Sequence, residues 1–318
     1  MNTVAIMSAR LSEYLPLSPL ATHIGVTCLI AQITLTLLFN KRAGVVPPGP
    51  WSHLTAFTAH QVVALPLMLL LTYIGWRDWF FDPDRAVLMD GSTAIIITAR
   101  DRVFGSNYAN PNDIPLAVGS GAILLWDIPT GFLSPPLRDP VMWAHHIGMF
   151  LVASVMNGQF CEGGTMIGYY YAPYYFGVIE LSSIFLAYVD VFHPKYEHYH
   201  RWLNAEHEDE TVSKSAARIL KGLNEMARIL FALSFLALRG LYFPYVAFVH
   251  TIPDLVLAYE DPPDGVPMWT GYFLIIFLAS FACLQAYWGS LIARQVMKVL
   301  SGGSDGKEKK SGNENKED

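Results

Sequence analysis

The chain has 318 residues, 53% of them hydrophobic and 15% charged, with a net charge of -6 at neutral pH. That balance argues against two soluble globules and for one multi-span membrane bundle, and no basic patch points to nucleic acid as a partner. Cys28, Cys161 and Cys283 lie far apart, without the CxxC spacing of a zinc or redox site, so neither a metal nor a bound cofactor is expected.

The residues up to Pro19 are mildly polar, and Leu20 to Phe39 then approaches the ~20 apolar residues that a spanning helix needs. No small-residue cleavage site ends the run cleanly, so it reads as a first span rather than a signal peptide. Lys41 and Arg42 stop it, Pro47-Pro48-Gly49-Pro50 makes a stiff turn, and Leu54 to Ile74 forms a second span that tolerates Pro66. Trp76, Trp79, Phe80 and Phe81 mark an interface belt. The connection from Arg77 to Asp113 is polar, apart from a patch at Ala94 to Thr98 too short to cross. Five further spans are expected at Ile114 to Phe132, Val141 to Phe160, Met166 to Phe192, Met226 to Val249 and Trp269 to Ala293. From Ser301 the chain lacks hydrophobes and reads as a disordered tail.

The predicted fold class is therefore all-α: a polytopic helical bundle of about seven transmembrane helices around a polar-lined cavity. Residues 1–53 form an N-terminal segment with the first span, 54–298 a six-helix membrane domain, and 299–318 a cytosolic tail. With seven alternating spans, one side collects Lys41, Arg42, Arg138, Lys195, Arg201, Lys214, Arg218, Lys221 and the bases from Arg294 onward. The other side holds only Arg10, Arg77, Arg85, Arg100 and Arg102, which puts the C-terminus in the cytosol.

Ionisable residues inside the apolar runs are the candidate functional groups, because such groups are costly in a membrane. His145 and His146 open the fourth span about 100° apart on its helix, so both cannot face one ligand squarely. The stripe from His146 continues through Ala153 and Ser154 to Asn157, and that from His145 through Met149, Val152 and Met156, which makes His146 the better candidate for a polar cavity. Glu180 sits mid-span with Phe176 and Ser183 on its face. Arg239, three turns from Arg228, is deep enough to pair with an acidic residue, and Gln285 adds a polar group to the last span. Asp127, near a helix end, either snorkels to the interface or orients a histidine across the following Pro turn. Among the tyrosines, Tyr169, Tyr170 and Tyr171 read as an interface belt, whereas Tyr175 and Phe176 are placed in the cavity wall. Polar groups from several spans need a shared interior, and the expected occupant is a membrane lipid held by Glu180, Ser183, Asn157, Tyr175, Phe176, Arg239 and Gln285.

Asp127, the His145-His146 pair, Glu180-Leu181-Ser182-Ser183, Arg239-Gly240-Leu241-Tyr242-Phe243-Pro244 and Leu284-Gln285-Ala286-Tyr287-Trp288, in that order, resemble the TLC domain shared by TRAM, the Lag1-type ceramide synthases and CLN8. The resemblance covers roughly Leu54 to Lys298. It implies a bundle of about six helices around a lipid-sized cavity, most often in the endoplasmic reticulum, with the plasma membrane as the alternative. In the ceramide synthases the matching histidine pair transfers a fatty acyl group from acyl-CoA to a long-chain base, which would make His145, His146 and Asp127 the catalytic set and acyl-CoA a co-substrate. Where those enzymes carry two aspartates three residues apart, this chain has Glu180 and Ser183, nearer the TLC-domain-containing branch linked to phospholipid composition. Self-association into a homo-oligomer is left open. A di-iron hydroxylase is disfavoured, because His193, His198, His200 and His207 crowd one loop but no HxxHH box occurs. A transporter is disfavoured by the lack of an inverted repeat.

Overall fold

A computed structural model describes residues 17–46, 49–82, 98–105, 113–204 and 214–301, with a few isolated positions ahead of residue 17. Residues 94–97 of the expected apolar patch and the tail from residue 302 lie outside the described residues. Every regular element among those described is helical. In chain order the main ones are α1 (Pro19–Leu38), α2 (Thr55–Phe80), the short α3 (Ala99–Phe104), α4 (Ile114–Leu133), α5 (Pro140–Met156), α6 (Tyr169–Val191), α7 (Glu197–Asn204), α8 (Arg218–Ala258) and α9 (Met268–Lys298). Six of them, α1, α2, α4, α6, α8 and α9, are long and apolar enough to cross a membrane. The expected fourth span is the apolar α5, whose 17 residues reach about 25 Å, short of the ~30 Å hydrocarbon layer. The chain is an integral, multi-pass helical membrane protein.

Local sequence sets the helix ends. Ser18 caps α1 by accepting from the Ala21 N–H at 3.1 Å, with Pro19 in the first helical position. Asp139 caps α5 by accepting from the Val141 and Met142 N–H groups at 2.8 and 3.3 Å, and Pro140 again follows. That start places His145 and His146 in the second turn.

Two glycine contacts bring the helices together. A Cβ on Gly121 of α4 would lie 1.9 Å from the Ala21 carbonyl oxygen of α1, and one on Gly75 of α2 would lie 2.4 Å from the Val178 nitrogen of α6. Only glycine permits such backbone-to-backbone approach, the packing mode of helices in lipid. Gln32 adds a polar tie among α1, α2 and α4: its amide nitrogen donates to the Ala56 carbonyl at 2.9 Å, and its oxygen accepts from the Trp126 indole at 3.2 Å. Outside the bundle, Leu69, Tyr73, Ile229, Leu233, Leu241 and Ile276 are exposed, as a lipid-facing surface requires.

Three helices contain π turns, which widen the coil: 118–127 in α4, 174–178 in α6, and 235–242 and 246–251 in α8. Such turns re-aim side chains and leave carbonyls open to outside donors. Arg228 is exposed and Arg239 buried, although a regular helix would set them on one face. The sixth span also continues well past Val249, to Ala258. Tyr169, Tyr170 and Tyr171 are all 2% exposed or less, so they are core residues and not an interface belt.

Candidate functional site

The polar residues singled out in the sequence fall into three separate groups. The first is centred on Asp127, at the end of the π segment of α4. Its carboxylate contacts Nδ1 of His146 on α5 through one oxygen and Nε2 of His60 on α2 through the other, the latter at 2.8 Å. The Asp127 side chain is only 11% exposed, so it does not snorkel; it holds two histidines from two helices. His60 also stacks on Trp126 with ring centroids 4.9 Å apart. A carboxylate on one imidazole nitrogen fixes tautomer and ring orientation, the role expected for Asp127 toward His146.

The second group surrounds Arg239. Its Nε donates to the Ile179 carbonyl at 3.2 Å and to Ser182 Oγ at 2.8 Å, and its Nη2 donates to Ser183 Oγ at 2.9 Å and to Glu180 at 3.4 Å. The turn at Ile179, between the π segment of α6 and the regular helix from Glu180, is where that carbonyl becomes available. Arg239 is thus the partner of Glu180, and the Glu180-Leu181-Ser182-Ser183 element is a receptor for one guanidinium. Glu180, Ser183 and Arg239 bind one another and do not line the cavity described next.

The third group lines that cavity. A cavity of at most about 580 Å³, its open mouth included, lies between α5, α6, α8 and α9, bordered by His145, Met149, Val152 and Met156 on α5 and by Leu274, Leu278, Phe281 and Gln285 on α9. Gly168, then Tyr171, Tyr175, Phe176 and Ile179 from α6, and Phe243, Thr251 and Leu255 from α8 complete the wall. Eleven residues separate the first and last α5 residues of this face, so the shaft is about 16 Å long. Its wall is far more apolar than expected. Tyr175 and Phe176 stand in it as expected, but the histidines exchange roles: His145 lines the shaft and His146 is tied to Asp127. Polarity along α5 alone favours His146 for the shaft, but the Asp127 carboxylate on α4 takes His146 and leaves His145 facing the cavity. Asn157 also leaves the expected set. It ends α5, and its amide donates to Ser120 on α4 at 3.4 Å.

At one end of the shaft His145 sits edge-on between Phe281 and Trp288, at 5.4 and 5.8 Å between centroids, so it faces the turn of α9 that carries Gln285. His145 Nδ1 and Gln285 Oε1 are both buried without a hydrogen-bond partner. At the other end Tyr171 donates to Asp254, which also holds Arg102 of α3. This last cluster was not foreseen. Asp254 lies beyond the expected end of its span, and Arg102 belongs to a connection read as loop. Among the described residues, no three His, Cys, Asp or Glu side chains converge so that they could hold a metal ion.

A family model of the TLC domain (TRAM, LAG1, CLN8) matches residues 58–294. The chain belongs to the TLC-domain family. No curated protein and no solved structure matches it. Within the TLC match lie His60, Asp127, both histidines of the pair, the Glu180 element, Arg239 and Gln285, whereas α1 precedes it.

Proposed function

We propose that this TLC-domain protein acts in membrane lipid homeostasis, influencing phospholipid or sphingolipid composition, by holding a lipid chain in the shaft between α5, α6, α8 and α9. What supports this is an apolar cavity inside a membrane bundle, long and narrow, with hydrogen-bonding groups left open at one end. A cavity so lined favours hydrocarbon over water, since its wall offers water few of the 2–4 partners it needs. The proposed location is the endoplasmic reticulum, with the C-terminus in the cytosol. Native mass spectrometry of gently solubilised protein tests the reading. A co-purifying lipid is the expected result, with occupancy reduced by Phe176→Trp, which fills the shaft. A bundle that carries no lipid under any mild extraction overturns it.

One observation favours a second, catalytic reading: His145 presents an unpartnered ring nitrogen to the same space that would hold the chain. A neutral imidazole there can attack an acyl-CoA thioester carbonyl, releasing the CoA thiol, and then pass the acyl group to the amine of a long-chain base. As the amine displaces it from the acyl group, the freed His145 imidazole would take the proton lost from that amine. CoA release by the purified protein, abolished by His145→Ala, supports this; a shift in phospholipid acyl composition on gene deletion without any CoA release supports the homeostatic role alone.

A further inference from the structure

Not every polar group in the shaft wall is open to a ligand. Tyr175 and Thr251 bond each other through their hydroxyls at 2.8 Å, and Tyr171 is engaged by Asp254. The Gln285 oxygen and His145 Nδ1 remain, both at the same end. Gln285 is only 1% exposed, and burying an amide without a partner is costly enough that such groups are normally satisfied. Among the described residues, no Lys, Arg, Asp or Glu side chain stands in the wall. The nearby charges are already matched, Arg239 by Glu180 and Arg102 by Asp254. A phosphate or carboxylate drawn into this end would therefore be buried without a counter-charge, at a cost of several kcal/mol.

Volume narrows the ligand further. At the ~30 Å³ that a small group occupies in a liquid, even the full 580 Å³, with the open mouth counted, admits at most about 19 non-hydrogen atoms. That accommodates one acyl chain with a small head and excludes two chains side by side.

We infer that the occupant of the shaft is a single-chain lipid with an uncharged head, a hydroxyl or an amide, bonded by Gln285 and His145. This rests on the lipid-holding role proposed above and names its ligand class. A hydroxyl or amide both donates and accepts, so it satisfies the carboxamide of Gln285 while His145 takes whichever role its tautomer allows. The apolar side chains beyond, from Met149 to Met156 on α5 and from Leu278 to Leu274 on α9, take the chain.

The test uses the full-length protein, delipidated in mild detergent, and three probes that share one lauroyl chain type: 1-lauroylglycerol, lauroyl lysophosphatidate and dilauroylglycerol. Binding is read by native mass spectrometry and by ligand-induced rise in melting temperature. The expected result is one 1-lauroylglycerol per chain, at least tenfold tighter than either of the others. Gln285→Met, which keeps the volume and removes the amide, should weaken that binding about tenfold, the loss expected for one buried hydrogen bond. Equal or tighter binding of lysophosphatidate or of the two-chain lipid overturns the neutral single-chain assignment while leaving the lipid-holding role standing. Failure of all three probes to bind overturns both. The comparison among probes on the unaltered protein decides the matter even where Gln285→Met does not fold.

Discussion

Replacing Glu180 by alanine removes the carboxylate that contacts a guanidinium whose side chain is only 6% exposed. At 3.4 Å and an effective dielectric near 20, the attraction lost is about 5 kcal/mol. Two features of the site reduce it. The Glu180 side chain is itself 19% exposed, and Arg239 keeps its bonds to Ile179, Ser182 and Ser183. The net loss should be about 2–3 kcal/mol, a melting temperature lowered by roughly 5–10 °C in detergent. Glu180→Gln, which retains an acceptor for Nη2, should cost about half as much. The double variant Glu180→Gln with Arg239→Met removes both charges and leaves neither buried alone, so it should return to within about 1 kcal/mol of the parent. Fluorescence-monitored melting of the parent, Glu180→Gln, Arg239→Met and the double variant gives the coupling directly. Equal and negligible effects of Glu180→Ala and Glu180→Gln, or a double variant worse than the sum of the single changes, would refute the view that this is a buried, mutually dependent pair.

Further expectations concern topology, packing and pH. Epitope tags at the C-terminus and in the Pro194 to Gly222 loop should both be reached by antibody after selective permeabilisation of the plasma membrane; protection of either sinks the orientation. Gly121→Val should separate α1 from α4, because its Cβ alone would lie 1.9 Å from the Ala21 oxygen, and a variant with unchanged thermal stability would disprove that contact. Outside the spans, His53 stacks on His198 of α7 at 3.9 Å between centroids, and burial, followed by repulsion from His198 and Lys41, lowers its pKa below 6.5. A base whose folded pKa is depressed protonates more readily when released. The docking of α7 should therefore be complete above pH ~6.5 and weaken as pH falls from there through the lowered value. Hydrogen exchange in 197–204 should rise over that range and lose the dependence in His53→Gln; a flat profile in the parent protein would contradict it.

The spans were legible because each is an apolar run of near-membrane length, and only hydrogen-bonded helix satisfies such a backbone in lipid. The misread end of α8 has a specific cause. His250, Thr251, Pro253 and Asp254 look like a loop by composition, yet the helix absorbs the proline by widening its turns and pairs Asp254 with Arg102 and Tyr171. Likewise Tyr169, Tyr170 and Tyr171 carry the composition of an interface belt, and only the tertiary fold shows that all three are buried, Tyr170 and Tyr171 against Trp79 from α2.

The candidate groups were found by asking which ionisable residues lie where hydrocarbon is required, a test that selects Asp127, His145, His146, Glu180 and Arg239. Applied evenly, the same test would also have selected His60, an imidazole alone in an otherwise apolar stretch of α2, which shares Asp127 with His146. What one sequence does not carry is the pairing among helices, and pairing decides which groups are left for a ligand. Charged groups in a membrane find partners first: Glu180 takes Arg239, Asp127 takes His60 and His146, and Asp254 takes Arg102. The cavity is left with the side chains that remain, a wall of aliphatic and aromatic residues and two neutral groups, His145 and Gln285. The charges that make the site conspicuous in the sequence therefore brace the helices, while the less conspicuous residues face the space they enclose.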